Sequence, residues 1–480
     1  MNDRFQHSLF YLFAIVISFI LVSPSFAVEY QQAAGLMDLR TTFSDGDYSI
    51  EELVLMAKQK GFSVVFINDH DRMAMEYGIF PFRNILRKGK ELNSINKQGA
   101  GKFIRAIRDA EKKYPDMIII PGSETTPFYY WTGNVLTGTL TANDHEKRLL
   151  TVGMENPEDY ENLPILDNGF SLQYFQYFFP EIIFFAISLI AGIILIRWRG
   201  IVRITGIVLA ILSIAFILNS HAFKSSPFDP YHGDQGMSPY QLLIDYVHSK
   251  GGMTFWNYPE TQSGVREMGP IRVSTLPYPT AIQESKAYTG FSAVYGETIT
   301  LTEPGNIWDT ALKEYCMGYR NQPPWGIATA DFHREGGDNE KLGNYQTVFF
   351  IEKKSKDAVL RAMQNGKMYA CQVAYPNSFK LEDFSVSSSD ENIKGISGDS
   401  LTLKGFPKIH IALSGNIGSP SPVKVRLIRS GQVIQIFENK LPLQIEYIDS
   451  YYKPGEKIFY RIDVKGTGTI VSNPIFVTFQ

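Results

Sequence analysis

Short apolar runs that end in charged or imidazole clusters recur along this chain, separated by segments whose apolar residues fall three and four apart. Gly35 to Leu39 carries Asp38 near its end and passes into Arg40 and the turn Ser44-Asp45-Gly46, and Ser63 to Ile67 passes into Asn68-Asp69-His70-Asp71. Met117 to Ile120 leads to Gly122-Ser123-Glu124, and Ile327 to Ala330 to Asp331-Phe332-His333. After the first run, Ser49-Ile50-Glu51-Glu52 has the spacing of a capping box, with Leu53, Val54, Met56 and Ala57 behind it and Gly61 as the stop. Lys102 to Tyr114 reads as an amphipathic helix closed by Pro115. This alternation predicts an α/β fold of parallel strands, with the polar clusters gathered at one end of a barrel.

The pattern breaks at two long apolar stretches, Phe178 to Ile196 and Ile204 to Leu218, joined by Arg197-Trp198-Arg199-Gly200-Ile201-Val202-Arg203. A transmembrane helical hairpin is predicted, with a buried helical pair in a soluble domain as the alternative. Each uninterrupted run, from Ile182 and from Ile204, is shorter than the roughly 20 residues of a full span. The aromatics between Tyr174 and Phe179, with snorkelling arginines, extend it. Three arginines in the connector assign it to the cytoplasm, which returns the flanking domains to the extracytoplasmic side.

Ser238-Pro239-Tyr240-Gln241 then repeats the capping-box spacing and opens a helix to Gly251. Met253 to Trp256, Phe291 to Tyr295 and Ile327 to Ala330 read as strands, Ile307 to Met317 and Ser355 to Asn365 as helices. From Pro376 a period of two takes over, as in Lys408 to Leu413, Val423 to Arg429 and Lys457 to Val464. About 100 residues of this kind predict an immunoglobulin-like β-sandwich. At the other end, an apolar run from Leu9 to Val22 precedes Ser25-Phe26-Ala27, the pattern of a signal peptide, with an uncleaved anchor as the alternative. The expected division is 1–27 signal peptide or anchor, 28–173 first part of the barrel, 174–222 hairpin, 223–375 second part of the barrel and 376–480 sandwich.

Composition narrows the function. With 44% hydrophobic and 13% aromatic residues over 480 positions, two or three folded cores are available. The 46 basic and 49 acidic residues leave a formal charge of −3, with no broad positive field for nucleic acid. Two cysteines, Cys316 and Cys371, supply no zinc framework, and their spacing does not decide whether they pair.

In their order and strand context the clusters resemble the PHP family, the polymerase and histidinol phosphatase superfamily of metal-dependent phosphoesterases. That pattern opens with His-x-His and Ser-Asp-Gly, continues with Asp-His, a Glu, a His and a His-Pro, and closes with Asp-x-His. Asp45, His70, Glu124, Asp331 and His333 match it. Asp38 and Arg40 stand in place of the opening histidines, Asn134 in Thr132-Gly133-Asn134-Val135-Leu136 replaces the middle one, and Tyr258 in Asn257-Tyr258-Pro259 replaces the imidazole of His-Pro. The match spans about Gly35 to Ala374 without the hairpin.

The resemblance implies a distorted, TIM-like β/α barrel holding divalent metal (zinc, manganese or iron) in fewer than the family's three positions. Asp45, His70 and His333 match one whole metal position; Glu124 and Asp331, with Asp38, belong to the damaged ones. The implied activity is hydrolysis of a phosphate ester or related small substrate, with Asp45 as ligand or base and Glu124 and Arg40 as further catalytic candidates, Arg40 toward phosphate. The alternative is a catalytically inactive binding or scaffold protein of the cell envelope, with the sandwich as partner surface and the lipid bilayer as anchor. A guanidinium cannot ligate a metal but can fork onto two carboxylates. Arg40 is therefore expected to pair with Glu124 and Asp331 in place of a lost cation, the alternatives being Asp38 or solvent. Among the remaining histidines, His145 is expected in a solvated loop, His248 in the last turn of a helix and His410 in a strand. His232 is a candidate for a missing ligand.

Overall fold

The computed structural model describes residues 29–166, 168–220, 223–336, 341–373, 379–388, 393–415 and 421–480. The expected signal peptide or anchor, 1–27, and the boundary at Pro376 lie outside them.

The strand Val64–Ile67 is buried along its whole length, as befits a strand covered on both faces. It pairs in parallel with Gln31–Leu39 on one side and Ile118–Thr125 on the other. Met253–Asn257, Gly290–Val294 and Trp325–Ala328 form a second parallel set. Arg148–Val152 joins the two sets, antiparallel to both neighbours, while Tyr345–Ile351 lies antiparallel to Gln31–Leu39 and to Met368–Val373. Beyond Trp325–Ala328 the chain returns to the first strand. Ala330 N–H donates to the Met37 carbonyl (3.1 Å), Phe332 N–H to that of Asp38 (3.0 Å) and Arg40 N–H to that of Phe332 (2.9 Å). The sheet is therefore curled, a half-barrel whose Trp325–Ala328 edge leads back to Gln31–Leu39 beside Asp38.

The expected all-parallel order gives way at Arg148–Val152 and Tyr345–Ile351. The residues between Ile118–Thr125 and Arg148–Val152 form the short strands Tyr130–Thr132 and Thr141–Asn143 of a separate sheet. Without a crossover helix the chain re-enters the main sheet reversed. The helix Ile50–Gln59 opens on the expected capping box of Ser49 and Glu52 and buries Ile50, Leu53, Val54 and Ala57. At Ser238 the expected box does not form. Ser238 is itself the first residue of the helix Ser238–Ser249, Met237 occupies the cap, and no side chain caps it. Pro239 carries no N–H, so the first turn has one donor fewer for a cap to satisfy.

Phe175–Ile196 and Ile201–Asn219 are long and apolar enough to cross a membrane. Their buried residues are small, Gly192 on one and Gly206, Ala210 and Ser213 on the other, while Phe184, Ile187, Ile204 and Ile211 are exposed. A Cβ on Gly206 would lie 2.7 Å from the Ile196 nitrogen, so the backbones touch where side chains are absent. Gly206→Leu is expected to force the helices apart and destabilise the pair by about 1–3 kcal/mol. Thermal unfolding of the full chain in detergent reads this, with the outward Ile207→Leu as the neutral control.

The main sheet continues past Met368–Val373 through Gly468–Ser472, Lys457–Lys465 and Pro422–Arg429. These strands face Phe379–Ser388, Pro407–Gly415 and Leu443–Ile448 of a second sheet, across a core that includes Leu381, Ile411, Leu427, Ile462 and Ile470. Cys316, in the helix Ile307–Cys316, and Cys371, within Met368–Val373, are both free thiols.

Candidate functional site

Four strand ends deliver polar side chains to the place where the curled sheet closes. Gln31–Leu39 supplies Asp38 and then Arg40, Val64–Ile67 is followed by His70, Ile118–Thr125 carries Glu124, and Trp325–Ala328 is followed by Asp331 and His333. The turn bearing Asp45 is held by Asp69, whose carboxylate accepts from Thr41 N–H (2.7 Å), Thr41 Oγ1 (2.6 Å), Ser44 N–H (3.1 Å) and Ser44 Oγ (2.6 Å). Gly46 closes this turn because a Cβ there would lie 2.3 Å from the Arg40 carbonyl oxygen. Asp38, Tyr258 and Asp331 adopt left-handed backbone conformations, with φ of 64°, 47° and 48°. Non-glycine residues held this way cost on the order of 1–3 kcal/mol each and cluster at functional sites.

Arg40 sits at the centre, with no exposed surface. Its Nη2 lies 2.6 Å from Glu124 Oε2 and 3.3 Å from Asp331 Oδ1, and its Nη1 lies 3.1 Å from Asp38 Oδ1 and donates to the Asn68 carbonyl. Arg148 Nη1 reaches the same Glu124 oxygen at 2.9 Å. Asn257 Nδ2 donates to Asp38 Oδ2 (2.9 Å) and Glu124 Oε1 (2.7 Å), and is oriented by Ser292 Oγ, which donates to its Oδ1 (2.6 Å). Tyr258 OH also donates to Asp38.

Burial pushes the Glu124 carboxyl up, but Arg148 and Arg40 outweigh it and bring its pKa down to about 2. At Asp38, burial wins over the opposing pull of Arg40, with Glu124 and Asp331 adding to it, and the pKa rises to about 7. One buried carboxyl is thus firmly ionised while its neighbour titrates near neutrality, as expected when carboxylates share too little positive charge.

Three side chains lie nearer the mouth. Asp45 Oδ2 is 3.4 Å from His70 Nε2 and 3.5 Å from His333 Nε2, and its side chain is 37% exposed. His70 Nδ1 lies 3.3 Å from Glu124 Oε2, and His333 Nε2 lies 3.9 Å from Asp331 Oδ1. Burial lowers the His333 pKa, but the hydrogen bond to Asp45 and the nearby Asp331 raise it to about 9. For Asp45 the same bonds, from His333 and His70, overcome burial and hold the carboxyl far below its usual range.

Two imidazoles and a carboxylate are donors that zinc, manganese or iron accept. Separations of 3.4 and 3.5 Å approach the roughly 3.4 Å between donors of a tetrahedral ion with bonds of about 2.1 Å. Among the described residues, however, no group of three or more His, Cys, Asp and Glu side chains is closed into an arrangement for a metal. The kind of donor and the spacing of Asp45 to each imidazole suit one ion; the cage is not assembled.

All six residues named as ligands from the sequence, Asp38, Asp45, His70, Glu124, Asp331 and His333, meet in this one place, together with Arg40. Their surroundings change what three of them can do. Arg40 and Glu124 are buried, with both Nη atoms of the one and both oxygens of the other directed at protein partners, so neither is placed to touch a substrate, and Asp38 faces Arg40, Asn257 and Tyr258. Asn134 lies elsewhere, exposed, and caps a short turn by accepting from Leu136 N–H (2.8 Å). His145 lies in a turn, as expected, but is partly buried rather than fully solvated. It packs on Tyr129 at 6.0 Å, and burial, with Arg148 beside it, lowers its pKa to about 4. His232 is exposed beside Asp229 at 3.4 Å and supplies no ligand. His410 lies in its expected strand, 3.0 Å from Asp383. His248 ends its helix as expected and lines a cleft of about 340 Å³ with Gly153, Met253 and Trp325, at the opposite end of the strands.

Solved structures similar to this chain include the following two. One, from Bacteroides vulgatus, is described as a two-domain protein containing a PHP-like metal-dependent phosphoesterase; it is 11% identical, with 92% of this chain and 95% of that one covered and a TM-score of 0.38. The other, from Bifidobacterium adolescentis, is described as a metal-dependent phosphoesterase and is 13% identical, with 66% and 92% covered and a TM-score of 0.29. No family model and no curated protein matches the sequence.

Proposed function

We propose that this chain is a membrane-tethered, extracytoplasmic hydrolase of the PHP type that acts on a small phosphate ester or related substrate with a reduced metal site. The observation that carries the reading is the convergence of two imidazoles on one oxygen of Asp45, at 3.4 and 3.5 Å, beside the buried carboxylates that Arg40 holds. Asp45, His70 and His333 would hold one divalent ion. When bound, such an ion supplies Lewis acidity toward a phosphoryl oxygen. The chain's own residues do the rest. Asp69 fixes the turn that aims Asp45, Glu124 orients His70 through Nδ1, and Asp331 faces His333. Arg40 holds Asp38, Glu124 and Asp331 together where their charges would otherwise repel.

The two exposed apolar helices support the tether, and Arg197 and Arg199 of their connector, with Arg203 in the first turn of the second helix, support its orientation. A second reading, a pocket or scaffold without catalysis, is favoured by the burial of Arg40 and the lack of an assembled metal group among the described residues.

Metal analysis and hydrolysis of a generic aryl phosphate, both on the purified full chain, separate the two. The hydrolase reading expects bound divalent metal and turnover, with metal and activity both falling to background in His70→Ala and His333→Ala. Wild-type protein without metal and without turnover, after incubation with zinc, manganese and iron, would support the second reading.

A further inference from the structure

The residues after His70-Asp71 form an antiparallel hairpin, Ala74–Gly78 with Arg87–Glu91, which the pocket does not use. Its base belongs to the site: Ile95 N–H donates to the His70 carbonyl (2.9 Å) and Asn96 N–H to that of Asp71 (3.0 Å). Its tip, 79–86, reaches the base of the two apolar helices. Asn84 N–H donates to Asn219 Oδ1 (2.9 Å), Asn84 Nδ2 to the Asn219 carbonyl (2.6 Å), and Phe82 packs on Phe216 with ring centroids 5.1 Å apart. Asn219 is the last residue of its helix, so the tip lies level with the helix end.

Four large apolar side chains of this tip face outward: Ile79 is 61% exposed, Phe80 76%, Ile85 46% and Leu86 53%. An exposed apolar cluster needs a partner, and this one is continuous with helices whose own exposed faces are apolar. The returning strand is exposed throughout and carries Lys88 and Lys90, which have no ion-pair partner among the described residues. Apolar side chains at the tip with basic ones behind them are the arrangement of a segment that lies in the headgroup region.

We propose that residues 79–86 are a lipid-contacting finger, inserted shallowly into the bilayer surface beside the helical pair. The proposal rests on the membrane-tethered reading. Five residues of strand span about 17 Å at ~3.3 Å each, so the finger holds the His70 side of the pocket on the order of 20 Å above the lipid.

An environment-sensitive fluorophore tests this on the full chain, attached at Phe80→Cys, Ile190→Cys or Tyr319→Cys in a Cys316→Ser background. The protein is reconstituted in phosphatidylethanolamine–phosphatidylglycerol vesicles with brominated acyl chains. At position 80 the expected result is a blue-shifted emission quenched more by bromines near the headgroup than by those near the chain end. Position 190 should be quenched more by the deep bromines, and position 319, exposed just past the helix Ile307–Cys316, by neither. Quenching at 190 with none at 80 overturns the finger and leaves the tether standing. No quenching at either position overturns the tether itself.

Discussion

Arg40→Met is expected to destabilise the folded chain by about 3–5 kcal/mol at pH 8, because it leaves buried carboxylates without the cation between them. Asp38 and Glu124 are fully buried on either side of it, at 3.1 and 2.6 Å, with Asp331 at 3.3 Å. The loss should shrink as the pH falls. In the wild type the Asp38 pKa is raised to about 7, above its unfolded value, so its contribution is fully present below pH ~4 and is lost as the pH rises through 7. Removing Arg40 takes away the main charge that opposed burial, so the pKa climbs further and the loss extends to higher pH. Glu124 has the opposite sign. Its pKa is lowered to about 2, and its contribution is present above pH ~4.5 and lost as the pH falls through 2. Arg148 still holds it in the variant, so this part is only weakened. Denaturant unfolding in detergent at pH 5 and pH 8 should give a larger deficit at pH 8, and Asp38→Asn in the same chain should recover part of it, since asparagine tolerates the left-handed backbone there. An Arg40→Met protein as stable as wild type at pH 8 would mean that the carboxylates are not held by this guanidinium.

What can be read in the sequence, and what cannot, follows from strand direction. Asp45, His70, Glu124, Asp331 and His333 lie at or just past the carboxyl ends of parallel strands, where a run of apolar residues passing into a polar cluster marks them. Arg148 is invisible to that rule. It opens an antiparallel strand, so the end of Arg148–Val152 that meets the site is its beginning. Asn257 reads only as the neighbour of Tyr258, although its amide bridges Asp38 and Glu124; a buried amide has no spacing that announces it. The strand Arg87–Glu91 reads Arg-Lys-Gly-Lys-Glu, with no apolar alternation at all, and is specified by its partner Ala74–Gly78 rather than by a buried face. The helices are more legible: Ser49 caps the turn that its spacing predicts, and the helix expected from Ser355 to Asn365 forms as Lys356–Gln364 with Ser355 as its cap.

The same balance of buried charge operates far from the pocket, where Asp309→Ala should cost about 3–5 kcal/mol by leaving Arg461 buried and unpaired. Asp309, on the helix Ile307–Cys316, meets Arg461 of the strand Lys457–Lys465 in two contacts of 2.7 Å, both partners without exposed surface. Arg461 also donates to the Thr302 carbonyl (2.9 Å) and lies 4.8 Å over the Trp308 ring. These contacts tie the C-terminal strands to the helix beside the curled sheet, and Asn473 adds a second tie by donating to the carbonyls of Gly326 (3.0 Å) and Met368 (3.1 Å). Because the main sheet also runs unbroken from Met368–Val373 into Gly468–Ser472, the pocket strands and the sandwich should unfold together. Asp309→Ala is therefore expected to lower one shared transition, followed by tryptophan fluorescence for Trp256 and Trp308 and by circular dichroism for the β strands, rather than to release the sandwich alone. The double variant Asp309→Leu with Arg461→Met should recover most of the loss, since removing both charges also removes their desolvation cost. Separate transitions for the two probes would show that the sandwich folds independently of the barrel-like sheet.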